Sequence, residues 1–434
     1  MSLDGTAAPA SVLVAAAGSS WEASALDRIE RAPGIVLAKR CVDLPELLAT
    51  ASTGLASVAV VSPTLPGLDA DSVAGLRRCG IGVVLVAAAD ELHDGDAERM
   101  RRLGIDHVLA VSELDSLTAT LAAAGPGAGV GAGAVTGVAP SDTSPLEEPA
   151  VVRRGRLLAV WGPTGAPGRT TVAVGLAGEL AALGHETLLI DVDAYGGAVA
   201  QHLGVLDEVS GLLAAARAAN AGRLDVAQLA ALARSVRERL RVLTGLPRPD
   251  RWPEVRPAAF EDLLDRAAEL APYTVMDLGF SLEGDPPDPF GPAAPQRNQM
   301  TLGALERADE VVVVGAADPV GLARLARGLV DLRAVVPDVR PRVVVNRTRA
   351  SLGWRDREIR GMVEGFTRPL DVHFLPDDRA AADQALMAGS TLRECGDSEL
   401  RAAMTTLARD VLGERADATG RRGRLRRRRV GRAR

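Results

Sequence analysis

The sequence predicts an α/β protein with two domains, the second of which is a doubly wound, mostly parallel sheet. Residues 1–124 and 151–412 both alternate short apolar runs with amphipathic helical patterns. Such alternation is typical of parallel strands joined by crossover helices. Between them, residues 125–150 are rich in Gly, Ala, Pro and Ser and lack apolar periodicity, which predicts a flexible linker.

The composition supports sizeable cores in a reducing compartment. The length of 434 residues is enough for two or three domains, and 47% of the residues are hydrophobic. Cys41, Cys79 and Cys395 lie far apart, so they predict neither a disulfide framework nor a metal site. No apolar run approaches the roughly 18 residues of a membrane span, and no basic segment precedes the first apolar run as in a signal peptide. We therefore expect a cytoplasmic protein.

The net charge of −6 is distributed unevenly. Residues 413–434 contain ten arginines against one aspartate and one glutamate, which predicts a disordered Arg-rich tail attracted to polyanions. An anionic membrane surface and nucleic acid both fit as partners. A solvated tail without a partner is the alternative.

The first domain has five predicted strands, at residues 11–16, 35–38, 57–61, 82–87 and 107–111. Its L-P-G-L-D turn at residues 65–69 resembles the M-P-G-x-D turn of response-regulator receiver domains. Ser62 stands where that family has its phosphorylated Asp, and the acidic pair and the Lys are missing as well. We therefore expect a receiver-like (flavodoxin-like) domain without phosphotransfer that serves for contacts. An unrelated small α/β domain is the alternative.

The second domain opens with an apolar run at residues 157–161, a Gly/Pro-rich loop at 162–168 and an amphipathic helix. Strand, glycine loop and helix form the context of a phosphate-binding loop, because backbone N–H groups and the helix N-terminus attract an anion. Arg169 occupies the place of the usual Lys and Thr170 that of the Mg²⁺-binding hydroxyl. Pro163 departs from the plain pattern, so a Gly-rich turn without a ligand is the alternative.

Several later strands end in polar side chains. The strand at 186–192 leads into Asp191 and Asp193, and the strand at 273–277 ends in Asp277, as in a Walker B pattern. Carboxylates at strand ends beside a phosphate loop can support Mg²⁺ and orient water. A surface D-x-D turn is the alternative.

The rest of the second domain completes a sheet of about seven strands. Residues 205–239 predict helix, followed by a short strand at 240–243, and residues 281–300 predict a loop. Three further strands are expected at residues 310–315, 342–345 and 370–375, and the last two end in Asn346 and in Pro376-Asp377-Asp378.

The order of these motifs resembles the MinD/ParA group of P-loop ATPases, whose deviant Walker A loop reads K-G-G-x-G-K-[ST]-T. Residues 164–171 read T-G-A-P-G-R-T-T, and the resemblance covers about 151–410. A receiver-like domain before such an ATPase is similar to the CpaE/TadZ branch, which positions Flp/Tad pilus machinery and includes actinobacterial septum-site-determining proteins. The resemblance implies ATP and Mg²⁺ as cofactors, an ATP-dependent homodimer, slow hydrolysis, and a location in the cytoplasm or peripherally at the inner face of the membrane.

The resemblance also implies roles for individual residues. Asp193 and Arg169 would be catalytic. Thr170, Asp191 and Asp277 would bind the metal. The nucleotide would be bound by Gly165, Ala166, Gly168, Arg169, Thr170, Thr171, Asn346, Pro376 and Asp377.

Two lysines of the family are missing. Thr164 stands where the signature Lys reaches across the dimer, Arg169 replaces the second Lys, and Pro167 removes one N–H donor. The only lysine of the chain is Lys39, in the other domain. Three functions stay open: an ATP-binding, dimerising positioning factor for a pilus, secretion or septum apparatus with weak hydrolysis; a non-catalytic pseudo-ATPase scaffold; and a ParA-like DNA-partition ATPase.

Overall fold

The computed structural model describes residues 10–88, 96–125, 154–165, 168–205, 209–284 and 296–414. The predicted linker from residue 126 and the predicted Arg-rich tail from residue 415 lie outside the described residues. No helix within these ranges combines the length and the apolar character that a membrane crossing needs.

The first domain is a five-stranded parallel sheet covered by helices. Its strands are β1 (Ala10–Ala15), β2 (Ile35–Arg40), β3 (Val58–Val61), β4 (Gly82–Ala87) and β5 (His107–Ala110). Its helices are α1 (Glu22–Arg31), α2 (Leu44–Ala51), α3 (Ala70–Arg78), α4 (Asp96–Arg102) and α5 (Leu117–Ala124). The strand order β2-β1-β3-β4-β5 is that of flavodoxin-like doubly wound sheets. The five predicted strands are confirmed, while the receiver-like interpretation stays a prediction.

The second domain is an eight-stranded, mostly parallel sheet, so the predicted fold class is confirmed with one strand more than expected. The strands are β6 (Arg156–Trp161), β7 (Thr187–Asp191), β8 (Arg234–Arg237), β9 (Leu240–Leu243), β10 (Tyr273–Asp277), β11 (Glu310–Ala316), β12 (Arg342–Thr348) and β13 (Asp371–Pro376). They lie in the order β13-β12-β11-β6-β10-β7-β9-β8, and β8 is antiparallel to β9.

Helices cover both faces of this sheet. They are α6 (Arg169–Ala182), α7 (Val199–His202), α8 (Gly211–Asn220), α9 (Val226–Leu232), α10 (Pro257–Leu270), α11 (Gln299–Arg307), α12 (Pro319–Val335), α13 (Asp356–Phe366), α14 (Arg379–Ala388) and α15 (Glu399–Val411). Side chains of α6 and α15 belong to the apolar core on one face, and those of α8, α10 and α12 to the core on the other. The central strands are therefore buried on both sides, which explains their unbroken apolar sequences.

The prediction of continuous helix over residues 205–239 is wrong. The chain leaves α8 at Gly222, whose φ of +66° is left-handed, and Asp225 then caps α9 by accepting a hydrogen bond from the Gln228 N–H. Residues 234–237 pair with β9 as an exposed edge strand. The Ala/Leu pattern concealed the break, and the polar R-S-V-R sequence gives no strand signal of its own. Helices α11 and α13 were also not predicted.

The two domains touch through α3. The Asp69 carboxylate of the L-P-G-L-D turn accepts hydrogen bonds from Arg256 (2.6 Å) and Asn220 (3.2 Å). Asp71 accepts one from the Ala258 N–H at 3.0 Å. The turn that resembles a receiver motif is thus part of the interface with the second domain.

Candidate functional site

The glycine loop runs from the end of β6 into α6 at the C-terminal edge of the sheet. Gly165 and Gly168 have φ values of +66° and +97°, which only glycine adopts without strain. A Cβ on Gly168 would overlap Nδ2 of Asn346, so this glycine is also required for space. Ala166 and Pro167 lie outside the described residues. We refer to residues 162–165 and 168–171 and the strand ends facing them as the loop site.

The N-terminus of α6 gives the loop site a positive end. This helix is 14 residues long, begins at Arg169 and carries no acidic residue in its first turn. Its free N–H groups and its dipole therefore face the loop without a competing protein anion on the same helix. A phosphate is the kind of ligand that such a terminus attracts.

Arg169 folds back over the start of the loop. Its Nη1 donates long hydrogen bonds to the carbonyl oxygens of Gly162 (3.4 Å) and Pro163 (3.5 Å). Its Nη2 lies 3.8 Å from Oδ2 of Asp193, and both side chains are mostly buried, at 17% and 13% exposed. The guanidinium is therefore inside the cleft and only loosely bound to protein groups.

Asp277 places a buried carboxylate at the loop site. It is 1% exposed, and neither of its carboxylate oxygens has a hydrogen-bond partner in the part of the chain that the structure describes. Burial and then the nearby Asp191 raise the pKa of Asp277 well above its usual range. The Thr170 hydroxyl and Arg169 favour its charged form, although Thr170 forms no hydrogen bond of normal geometry with it.

Asp191 is the neighbour of Asp277 in the β7–β10 register, but its oxygens are engaged. Oδ1 accepts the N–H of Asp193 at 3.2 Å and Oδ2 that of Val199 at 3.1 Å. A Cβ on Gly197 would lie 2.5 Å from the carboxylate and one on Gly245 2.6 Å from it, so the backbone encloses this side chain. Burial raises the pKa of Asp191 to about 7. Its geometry suits holding the turn after β7 more than direct contact with a metal.

One side-chain oxygen of Asp193 accepts hydrogen bonds from the backbone, and the other lies near Arg169. Its Oδ1 accepts the N–H groups of Tyr195 (2.8 Å) and Gly196 (3.4 Å), while Oδ2 faces Arg169. The Tyr195 hydroxyl donates to Asn298 at 2.8 Å, and the Arg297 guanidinium lies 4.1 Å from the Tyr195 ring centre. No sequence motif signals a role for Tyr195, whose side chain links the Asp193 turn to the start of α11.

The residues predicted to contact a base lie at two distances from the loop. Asn346, at the end of β12, accepts the N–H of Arg347 at 2.9 Å, and its amide lies against Gly168. Pro376 and Asp377 end β13, three strands from β6, which is about 14 Å. The Asp377 N–H donates to Thr348, so this turn is attached to the end of β12. The structure thus brings Asn346 to the loop and leaves the β13 turn at the sheet margin.

A second group of metal-ligating side chains, Asp371, His373 and Asp410, lies elsewhere in this domain. The Arg342 guanidinium is 3.4 Å from His373 Nε2 and 4.0 Å from Asp410. A cationic side chain therefore already occupies this position, and burial followed by Arg342 lowers the pKa of His373. We interpret the group as a structural ion-pair network.

A further cation, which the sequence does not predict, lies at the loop site. Arg324 of α12 places its guanidinium against Gly165, where a Cβ would overlap Nη1 and lie 2.9 Å from Cζ. Arg324 and the loop are far apart in sequence, and no local motif signals their contact.

Together, the fold and the loop site define a doubly wound α/β protein with a candidate phosphate- and metal-binding loop at the C-terminal edge of its sheet. Solved structures similar to this chain include ParA and MinD ATPases. They include a ParA family ATPase from Chlorobium tepidum, with 18% identity, 59% of this chain and 98% of that chain covered, and a TM-score of 0.48.

Two MinD structures give similar values. The Pyrococcus furiosus cell division ATPase MinD has 18% identity, covers 60% of this chain and 99% of its own, and has a TM-score of 0.47. The septum site-determining protein MinD from Pyrococcus horikoshii, in complex with Mg-ADP, has 17% identity, 59% and 96% coverage, and a TM-score of 0.46. No protein-family model matches the chain, and no curated protein matches it.

Proposed function

We propose that this chain binds ATP with Mg²⁺ at the loop site. The observation that carries the proposal is Asp277, whose two carboxylate oxygens are buried and have no partner among the described residues. A buried charge without a partner costs several kcal/mol. A bound cation removes that cost, and Mg²⁺ prefers oxygen ligands such as a carboxylate and a hydroxyl. Asp277 and Thr170 offer this donor pair.

The chain's own groups divide the task of binding. The N-terminus of α6 attracts the phosphates, and Gly165 and Gly168 allow the backbone to approach them. Mg²⁺, when bound, neutralises phosphate charge. Arg169 adds a second cationic group, and Oδ2 of Asp193, 3.8 Å from Arg169, faces the loop, where it can orient a water.

The same site supports hydrolysis poorly. Arg169 is a planar guanidinium rather than a compact ammonium, and it also faces Asp193 at 3.8 Å. An acid that orients attacking water is less effective when it faces a cation. We therefore propose slow hydrolysis, with nucleotide binding as the main property of the site.

The wider role rests on the resemblance of the sequence to the MinD/ParA group and the CpaE/TadZ branch. We propose that an ATP-dependent homodimer of this chain positions a pilus, secretion or septum apparatus. Thr164, where that group has its cross-dimer lysine, favours the second candidate, a non-catalytic scaffold. A ParA-like DNA-partition role is the third, and it would assign DNA to the tail. In the first role the tail would meet an anionic membrane surface.

Titration of the full chain with a fluorescent ATP analogue tests the proposed binding. We expect saturable binding in Mg²⁺ that is lost in EDTA and weakened in Arg169→Ala. Arg340→Ala is the matched control, because Arg340 is exposed and precedes β12, at the sheet edge opposite the loop site. A parallel mass measurement by light scattering tests the dimer. No binding at millimolar ATP would contradict the nucleotide-binding proposal and leave the scaffold.

A further inference from the structure

Arg324 has no partner among the described residues that explains its position. Nη1, Cζ and Nε of its guanidinium are the atoms nearest to the open side of Gly165, where Cζ would be 2.9 Å and Nε 3.6 Å from an added Cβ. Within the described ranges, Arg324 forms no ion pair and no hydrogen bond, although its helix belongs to a domain rich in Arg–carboxylate pairs. An exposed guanidinium thus rests on the loop without an anion from the described part of the chain.

Two contacts of α12, one on each side of Arg324, fix the position of Arg324. Asp318 caps the helix by accepting the N–H groups of Val320 (3.1 Å) and Gly321 (3.0 Å). One turn after Arg324, Gly328 lies so close to the loop that a Cβ would be 3.0 Å from Pro163. Residues four apart share one face of a helix. Arg324 therefore lies beside the loop because the same face of α12 packs against the start of the loop.

The loop site needs more positive charge than its own segment supplies. A nucleoside triphosphate carries several negative charges, while Thr164 is neutral and Arg169 shares its guanidinium with backbone carbonyls and Asp193. Arg324 is the other guanidinium that the structure places against the loop backbone. Arginine is well suited to phosphate because its planar fork donates two parallel hydrogen bonds.

We infer that Arg324 is a phosphate-binding residue of the loop site, supplied by α12 of the same chain. This inference rests on the proposed nucleotide binding. It deepens that function by assigning the missing loop charge to a residue in cis. The ligand is a polyphosphate, and Arg324 contacts the part of it that passes Gly165. The inference does not depend on the α6 terminus alone, because the buried, unpartnered Asp277 independently points to a ligand at the same loop.

The test is an ATP titration of the full chain in Mg²⁺ with Arg324→Ala, Arg324→Lys and Arg324→Glu. We expect Arg324→Ala to weaken ATP binding by at least about tenfold, which is the loss of one charge-assisted hydrogen bond. Arg324→Lys restores part of the affinity, and Arg324→Glu weakens it further than Arg324→Ala does. The apo variants should melt like the wild type, because Arg324 is exposed.

Arg333→Ala is the matched control, because Arg333 is exposed on the same helix about 14 Å further along. If wild type binds ATP in an Asp277-dependent manner and Arg324→Ala behaves like Arg333→Ala, the inference fails and the proposed function stands. If wild type binds no ATP, the proposed function itself fails. Competition by inorganic tripolyphosphate supplies a second readout. In Arg324→Ala and Arg324→Glu, the affinity for tripolyphosphate should fall in parallel with the affinity for ATP. Unchanged competition by tripolyphosphate in Arg324→Glu would overturn the inference.

A mixing experiment distinguishes cis from trans action. Arg324→Ala and Asp277→Asn subunits are combined, and ATP binding is measured against each variant alone. We expect no gain in affinity on mixing, because both residues serve one loop site in one chain. Restored binding in the mixture would show that Arg324 reaches a partner's loop, which would overturn its assignment in cis.

Discussion

Replacing Asp277 by Asn should stabilise the nucleotide-free chain while removing its Mg²⁺-dependent ATP binding. The Asp277 carboxylate is 1% exposed and has no hydrogen-bond partner in the described part of the chain. Burial and Asp191 raise its pKa well above the usual range, so the folded chain disfavours the ionised form that the unfolded chain adopts, and this difference opposes folding. Asn has nearly the same shape and no charge. A residue that serves a ligand thus lowers the stability of the nucleotide-free protein.

The size of the effect follows from the missing partners. An unsatisfied buried polar group costs about 1–3 kcal/mol, and a charged one more. Asn keeps an unsatisfied polar group and removes only the additional cost of the charge, so we expect Asp277→Asn to raise the free energy of unfolding by about 1–3 kcal/mol at pH 8. For a domain of about 250 residues this corresponds to a rise in Tm of roughly 2–6 °C.

The assay is thermal unfolding of the full chain in EDTA, followed by ATP titration in Mg²⁺. Asp193→Asn is the control, because its remaining side-chain oxygen still accepts the N–H groups of Tyr195 and Gly196. Its stability should change by no more than about 0.5 kcal/mol. A loss of 1 kcal/mol or more in Asp277→Asn would refute the reasoning, since it would mean that protein groups hold the carboxylate.

Three further predictions concern the glycine loop, the pH dependence and the domain interface. Gly168→Ala should abolish ATP binding. Gly184→Ala is its control, because Gly184 has an equivalent φ of +98° but no neighbour within 4 Å, and it should only lose about 1 kcal/mol of stability in thermal melts. Equal ATP binding in the two variants would show that the space at the loop is irrelevant. Because burial raises the pKa of Asp191 to about 7, the folded chain keeps a proton that the unfolded chain releases near pH 4, so stability should fall as pH rises from about 4 to about 7. Melting curves in EDTA across that range check the sign, and a rising Tm would contradict it. Arg256→Ala removes a partly exposed ion pair at 2.6 Å between the domains, so the variant should lose at most about 1 kcal/mol of unfolding free energy. The segment between the domains should nevertheless be proteolysed faster. Unchanged proteolysis would mean that other contacts hold the interface.

The sequence predicted those features that depend on local pattern. Unbroken apolar runs identified the central strands because both faces of the sheet are covered, and β10 was located to the residue. The spacing of Gly165, Gly168 and Thr170 identified the loop because its glycines need left-handed backbone angles.

Features that depend on tertiary contacts could not be predicted in the same way. The edge strand β8 forms only because β9 lies beside it. The enclosure of Asp191 depends on Gly197 and Gly245, which come from separate turns. Arg324 is one of several arginines along α12, and only the packing of Gly328 on the loop shows which of them meets Gly165.

The measurement that tests the central claim most directly is calorimetric titration of the full chain with ATP in Mg²⁺, repeated in EDTA and with Asp277→Asn. We expect one nucleotide per wild-type chain in Mg²⁺, and a large loss of affinity both without the metal and in the variant. Absence of binding at millimolar ATP would contradict the account. So would binding that ignores both EDTA and the Asp277 substitution, because the buried carboxylate would then have no role in holding the ligand.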